Sequence, residues 1–285
     1  MPSPSGLQIV IPSPNGSWEE ILRRAVTPLA RELRGHPELG AFGFARYNKP
    51  AFHLGVTVLG DDAWLKSKAR PAAERCVASM AGKGLFAEYT IGAYEQDTET
   101  YGGEEGARLA ERFSHHDSLA CLDLMEAETR GGRRSRREYS LLMVEAMLGH
   151  LGFDRARRVA FYERGFSWAI RIGSLNEEEI AALERRYRDV GEGLAALVSG
   201  SMDDATRWGG SEAAEIAARW TAGTAPVLEE TRAAHEAGRI RQELGELAWS
   251  WARLNSNRLG VLNVAEASLR FFMHRLHADG KSGVD

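Results

Sequence analysis

Cysteine is scarce in this chain. Its 285 residues hold only Cys76 and Cys121, each alone in a helical-looking segment, with no CxxC and no Cys/His spacing of the kind that binds zinc. A disulfide framework is therefore excluded, and reduced thiols in a cytoplasmic protein are expected. Also missing is any run of about 18 apolar residues that could cross a membrane. The opening "MPSPSG" lacks the charged-then-apolar layout of a signal peptide, so a soluble protein is expected. Charge of one sign is not in excess: 36 Lys and Arg stand against 40 Asp and Glu, a net charge of −4 that gives no global reason to bind nucleic acid. There is no Walker loop, no GxGxxG after a strand, no HExxH and no GxSxG elbow, which disfavours the common cofactor enzymes. With hydrophobic residues at 44% and charged residues at 27%, what remains is an ordinary globular composition, long enough for a sizeable core.

Two periodicities divide the chain. "LQIVI" (7–11) is β-rich, and "SWEEILRRAVTPLARELRG" (17–35) is helical, with Ser17 and Glu20 spaced as a capping box. "AFGFARYN" (41–48) and "AFHLGVTVLG" (51–60) read as a hairpin across "NKPA". A helix opening on Asp61 and Asp62 and closing near Gly82 and Gly84 follows, then the strand "LFAEYTIGAY" (85–94). The order β-α-β-β-α-β predicts an α+β protein with a ferredoxin-like split βαβ sheet, two helices on one face and another cover needed on the other. From about 103 onward helical periodicity dominates, so residues 1–100 form a sheet layer and 101–285 a large helical layer packed on it as one unit.

Four polar clusters stand where apolar residues or plain turns are usual. In the first, alternation puts Arg46 on one face with Phe42 and Phe44, beside Tyr47, and the hairpin would present His53 with Arg46; strand-end residues reaching solvent explain them equally well. In the second, Tyr101 precedes two glycines and a helix, which "SHHDS" (114–118) interrupts with His115, His116, Asp117 and Ser118. These serve either as an acid/base and hydrogen-bonding group or as caps for a helix beginning at Leu119. No metal is assigned, because three consecutive residues cannot face one ion from regular structure and no partner spacing exists elsewhere. The third is Arg133, Arg134, Arg136 and Arg137, either a solvated helix entrance or an anion platform. The fourth is Arg253, Asn255, Ser256, Asn257 and Arg258, which either close one helix and start the next or form part of a site.

Taken in series, "WEEILRRAVTPLARELR", "FARYNKPAFHLGV", "YEQDTETYGG", "AERFSHHDS" and "NRLGV" resemble the thiopeptide-type bacteriocin biosynthesis family, the C-terminal elimination domain of class I lantibiotic dehydratases and its stand-alone relatives. The resemblance runs over nearly the whole chain. It implies a strand reading H-L-R-x-R, whose arginines hold a glutamyl group, and a histidine before N-R-L. Here Gly55 and Thr57 stand at the arginine positions and Arg253 at the histidine position. An arginine does not shuttle protons near neutral pH, so the elimination chemistry looks dismantled.

Stand-alone relatives that lack those residues include thiopeptide pyridine synthases, which join two dehydroalanines by a formal aza-[4+2] cycloaddition and need no cofactor. The resemblance thus implies Arg46 and Arg253 as donors to peptide carbonyls, His115 or His53 as acid/base, Tyr101 among the catalytic residues, and Tyr47, Asp117, Ser118, Asn255, Asn257 and Arg258 orienting substrate. Its partner is a ribosomally made precursor peptide with a leader; other enzymes of the pathway and a second copy of the chain are further candidates. Two rivals stay open: a glutamate-elimination subunit of a split dehydratase, and a leader-binding scaffold without catalysis. If the Arg133–Arg137 run binds an acidic leader, reversing its charges weakens precursor binding, and the wild-type affinity falls more steeply with salt than the variant's in a binding titration at two ionic strengths.

Overall fold

The computed structural model describes residues 5–13, 16–81, 88–131, 136–172, 175–200 and 210–284. Contacts group them into two compact units, Met1–Glu126 and Ala127–Asp285. The first begins with β1 (Gly6–Pro12) and a continuous helical segment α1, built of Trp18–Ile21, a π-type stretch Leu22–Val26, and Thr27–Leu33. The hairpin β2 (Leu39–Tyr47) and β3 (His53–Gly60) follows. Then come α2, built of Asp62–Trp64, a π-type stretch Leu65–Ala69 and Arg70–Ala81, and β4 (Thr90–Ala93). The strands lie in the order β2-β3-β1-β4 with every neighbour antiparallel, the arrangement the βαββαβ order predicts.

Both widened helical stretches end one residue short of a proline, Pro28 and Pro71. A proline has no amide hydrogen for the carbonyl four residues back and its ring collides with that carbonyl, so the preceding turn opens to π-type pairing. Strand alternation sends Leu7, Ile9 and Ile11 to one face with Leu54, Val56, Val58, Phe42 and Phe44, all buried. Buried rows on the two helices (Ile21, Leu22, Val26 and Leu29; Leu65, Ala69, Ala73 and Val77) complete that core.

The first unit ends in α3 (Glu104–Gly131), whose last five residues belong to the second. The second unit adds α4 (Arg136–His150), α5 (Arg155–Arg171), α6 (Glu177–Ser199), α7 (Ser211–Glu236), α8 (Leu244–Leu259) and α9 (Val264–Ala278). Among the described residues no helix is long and apolar enough to cross a membrane.

Several local expectations change. Ser17 caps α1 only through its carbonyl: its ψ of 27° is not extended, and its hydroxyl faces Ser13 instead of Glu20, so the capping box is absent. "SHHDS" does not interrupt a helix, since α3 runs unbroken through it. Likewise Asn255–Arg258 lie inside the last turns of α8, not between two helices. The closing glycines Gly82 and Gly84, the start of the 85–94 strand, Arg133 and Arg134 lie outside the described residues.

The second unit buries an ionic cluster. Glu145 of α4 accepts hydrogen bonds from Tyr162 of α5 at 2.5 Å and from His277 of α9 at 3.1 Å, and its other oxygen pairs with Arg158. Burial alone would push the Glu145 carboxyl up, but the His277 and Arg158 charges with the Tyr162 hydroxyl hold it below its ordinary value. Nearby, Arg270 is 2% exposed, donates to the Ala252 carbonyl and the Ser256 hydroxyl, and lies within 5.9 Å of the Phe161, Tyr162 and Trp249 rings. Removing one member strands the others in a medium that penalises lone charge. Glu145→Leu should therefore lower the unfolding free energy by about 3–5 kcal/mol in urea denaturation, and adding Arg158→Met should recover part of the loss.

Candidate functional site

The β2–β3 register opposes Arg46 to Leu54 and Tyr47 to His53. Arg46 therefore shares the apolar face with Phe42 and Phe44, whereas His53 points to the other face with Tyr47, Gly55 and Thr57. The expectation that the hairpin presents Arg46 with His53 is corrected by that one-residue offset, which places them on opposite faces. Nor does Arg46 reach solvent: its side chain is 2% exposed, and its guanidinium donates to Glu19 of α1 at 3.0 Å and lies 3.9 Å from the Met125 sulfur.

β2 is an edge strand, and α3 supplies acceptors to it. The Phe42 amide donates to His115 Nδ1 at 3.1 Å and the Phe44 amide to Ser118 Oγ at 3.3 Å. Between them Gly43 permits the approach, because a Cβ there would sit 2.8 Å from Ser114 Oγ. Burial, with the neighbouring His116 and Arg34 charges, pushes the His115 imidazole down to about 4. His115 is thus a neutral ring whose Nδ1 lone pair is committed to the backbone, leaving Nε2–H as a donor. Asp117 and Ser118 are fully buried, and half-buried Tyr101 lies just before α3.

One turn before His115, on the same side of α3, Glu111 accepts from Tyr94 at 3.0 Å and Gln96 at 2.9 Å. Burial raises its carboxyl against those two hydrogen bonds, and burial beside Glu111 raises the Tyr94 phenol. The trio's one signal in the sequence is the i, i+4 spacing of Glu111 and His115. On the sheet face opposite Phe42 and Phe44, Tyr47 stacks on His53, with ring centroids 4.9 Å apart and 12° between planes. Thr57 donates to Gln8 at 2.9 Å beside them.

In the second unit the "NSNR" residues split by role. Asn255 accepts from Ser140 at 3.2 Å and lies 3.3 Å from the Met143 sulfur, and Ser256 stands 3.1 Å from Ser140. Arg258 is 2% exposed and Asn257 half-buried. Arg253 is exposed, with its guanidinium 4.5 Å from the Trp168 ring centroid. In the arginine run, Arg136 pairs with Glu128 and reaches the Leu259 carbonyl, while Arg137 is exposed.

The sequence model of the lantibiotic biosynthesis dehydratase C-terminal family matches residues 7–277. The chain belongs to that family. No curated protein matches it in sequence. Among solved structures it is similar to the tRNA dependent lantibiotic dehydratase MibB from Microbispora sp. 107891, at 17% identity and a TM-score of 0.69 over 98% of this chain and 28% of that one. It is also similar to TbtD, a pyridine synthase from thiomuracin biosynthesis, at 15% identity and 0.69 over 97% of this chain and 99% of that one. TsrL is similar at 15% identity and 0.67, over 98% and 96%. The chain therefore spans little more than a quarter of the dehydratase's length, and these likenesses establish a shared fold.

Within that family, the chain departs from the expected arginine strand in a physically definite way. A Cβ on Gly55 would lie 2.8 Å from Tyr47 Cε2 and 3.1 Å from Gln8 Nε2, so an arginine there would have to displace the tyrosine ring. Thr57, at the second position, is engaged with Gln8.

The neutral His115 carries a pH signature. Its folded value of about 4 lies below the 6.5 of an unfolded imidazole, so the unfolded chain binds the extra proton first. The stabilisation is whole above pH 6.5 and is lost as pH falls toward 4. Urea midpoints measured across that window should fall more steeply for the wild type than for His115→Gln.

Proposed function

We propose that this chain is a cofactor-independent, pyridine-forming cyclase that acts on a dehydroalanine-containing, ribosomally made precursor peptide. The observation that carries the reading is the closed seat at Gly55: where the family resemblance calls for a glutamyl-holding arginine, the Tyr47 ring fills the space. Arg253, at the position of the expected histidine, serves as a hydrogen-bond donor. The likeness to the pyridine synthase TbtD along 99% of its length agrees with this choice.

The chemistry asks first for positioning, since both alkenes and the amide between them belong to one peptide. A backbone amide tautomerises to its iminol, whose carbon and the adjoining alkene's terminal carbon form two new C–C bonds to the second alkene to close the six-membered ring around the existing nitrogen, and water and the leader then depart. Acid/base help is needed at the iminol oxygen and at the leaving leader amide. His53 fits this task better than His115, whose Nδ1 is occupied by the Phe42 amide. His53 Nδ1 lies 2.8 Å from the Ala51 carbonyl, which can only accept, so the neutral ring carries its proton there and keeps Nε2 as a base. The neutral His115 Nε2–H and Tyr101 are the donors toward developing oxygen charge. Buried Arg46 acts through its hold on Glu19.

Incubation with a bis-dehydroalanine precursor, followed by mass spectrometry, should show loss of water and of the leader mass. His53→Asn should lower kcat by about 100-fold or more. An unchanged precursor would overturn the cyclase reading, and dehydroalanine formed from a glutamylated Ser/Thr peptide would establish elimination instead.

A further inference from the structure

Tyr47 and His53 are opposed residues of the β2–β3 ladder, and their rings lie nearly parallel at 4.9 Å. Three neighbours define that geometry. The Ala51 carbonyl, 2.8 Å from His53 Nδ1, fixes the protonated nitrogen. Gly55, one pleat further along β3, leaves the gap into which the tyrosine ring leans. Gln8 accepts from Thr57 through Oε1 and so turns its Nε2 toward that gap, bounding it from β1. His53 Nε2 has no hydrogen-bond partner among the described residues and is not sealed from solvent, while Tyr47 is 47% exposed.

An exposed tyrosine on a hairpin ordinarily moves among rotamers, and an exposed histidine samples both tautomers. Here the sheet removes both freedoms at once: the carbonyl selects the tautomer and the tyrosine face sets the imidazole plane. We infer that Tyr47 is a positioning residue, seated on Gly55, that holds His53 with its unprotonated Nε2 in a fixed orientation beside the β2–β3 turn. The glycine at position 55 is then part of the device: it removes the side chain expected there and makes room for the ring that steadies the base. This deepens the cyclase reading by naming what orients its acid/base, and it rests on that reading only for the catalytic consequence.

The test has two arms on the chain of residues 1–285. In ¹⁵N NMR above the imidazole's titration range, His53, assigned by its loss in His53→Gln, should show a pyrrole-type Nδ1 and a pyridine-type Nε2. Tyr47→Ala should average these signals toward a tautomer mixture, and Gly55→Ala, which pushes the ring out of its seat, should do the same. Tyr47→Phe, keeping the ring without its hydroxyl, should restore the wild-type pattern and so control for misfolding. In the kinetic arm, with a bis-dehydroalanine precursor, Tyr47→Ala should lower kcat by about 100-fold with KM little changed, and Tyr47→Phe should regain most of that rate. Wild-type His53 shifts in Tyr47→Ala would overturn the inference. A tautomer mixture with an undiminished kcat would overturn its catalytic part. If the wild type formed no ring from the precursor, the proposed function would fall while the NMR arm still decided whether Tyr47 orders His53.

Discussion

The amide hydrogens along the outer edge of a strand must find acceptors, and those of Phe42 and Phe44 find them on a helix. Much of the first unit follows from this constraint. A side chain at position 43 would keep α3 away, so the residue is glycine. Any hydrocarbon at 115 or 118 would leave a buried donor without a partner, at a cost of about 1–3 kcal/mol, so the chain spends a histidine and a serine inside a helix that gains no propensity from either. With the edge covered, the strand offers no template for another chain.

The second unit meets polarity differently. Its cationic groups Arg158 and Arg270 lie deep among helices, each surrounded by carboxylate, hydroxyl, carbonyl or aromatic faces. Clusters of this kind add little net stability compared with apolar packing, but they tolerate no missing partner and so fix how helices pair. Ser256 joins this second-unit network through Ser140 and Arg270, which gives that hydroxyl in the final turns of α8 a structural role.

The family scaffold has thus been re-equipped locally. A strand position that the resemblance assigns to a substrate-holding charge carries no side chain at all, and an aromatic ring from the neighbouring strand occupies the volume. The histidine that opens that strand in the family pattern is kept as His53, and the ring beside Gly55 stacks on it.

The βαββαβ order, the alternation that buries Arg46 beside two phenylalanines, and the helical second half were legible from periodicity, because period 2 and period 3.6 are properties of consecutive residues. So was family membership, which rests on motifs in series. Tertiary structure decided what depends on which residues meet. Whether His53 joins Arg46 or Tyr47 turns on a one-residue register. Whether "SHHDS" breaks a helix or lines it turns on a strand edge more than 70 residues away in sequence. Whether His115 is a free base or a committed acceptor turns on the backbone it faces, and the Tyr94–Glu111–Gln96 trio exists only because a loop after β4 meets α3. Local sequence fixes which way each side chain points along its own element; only the fold supplies the partner that gives it a charge state and a role.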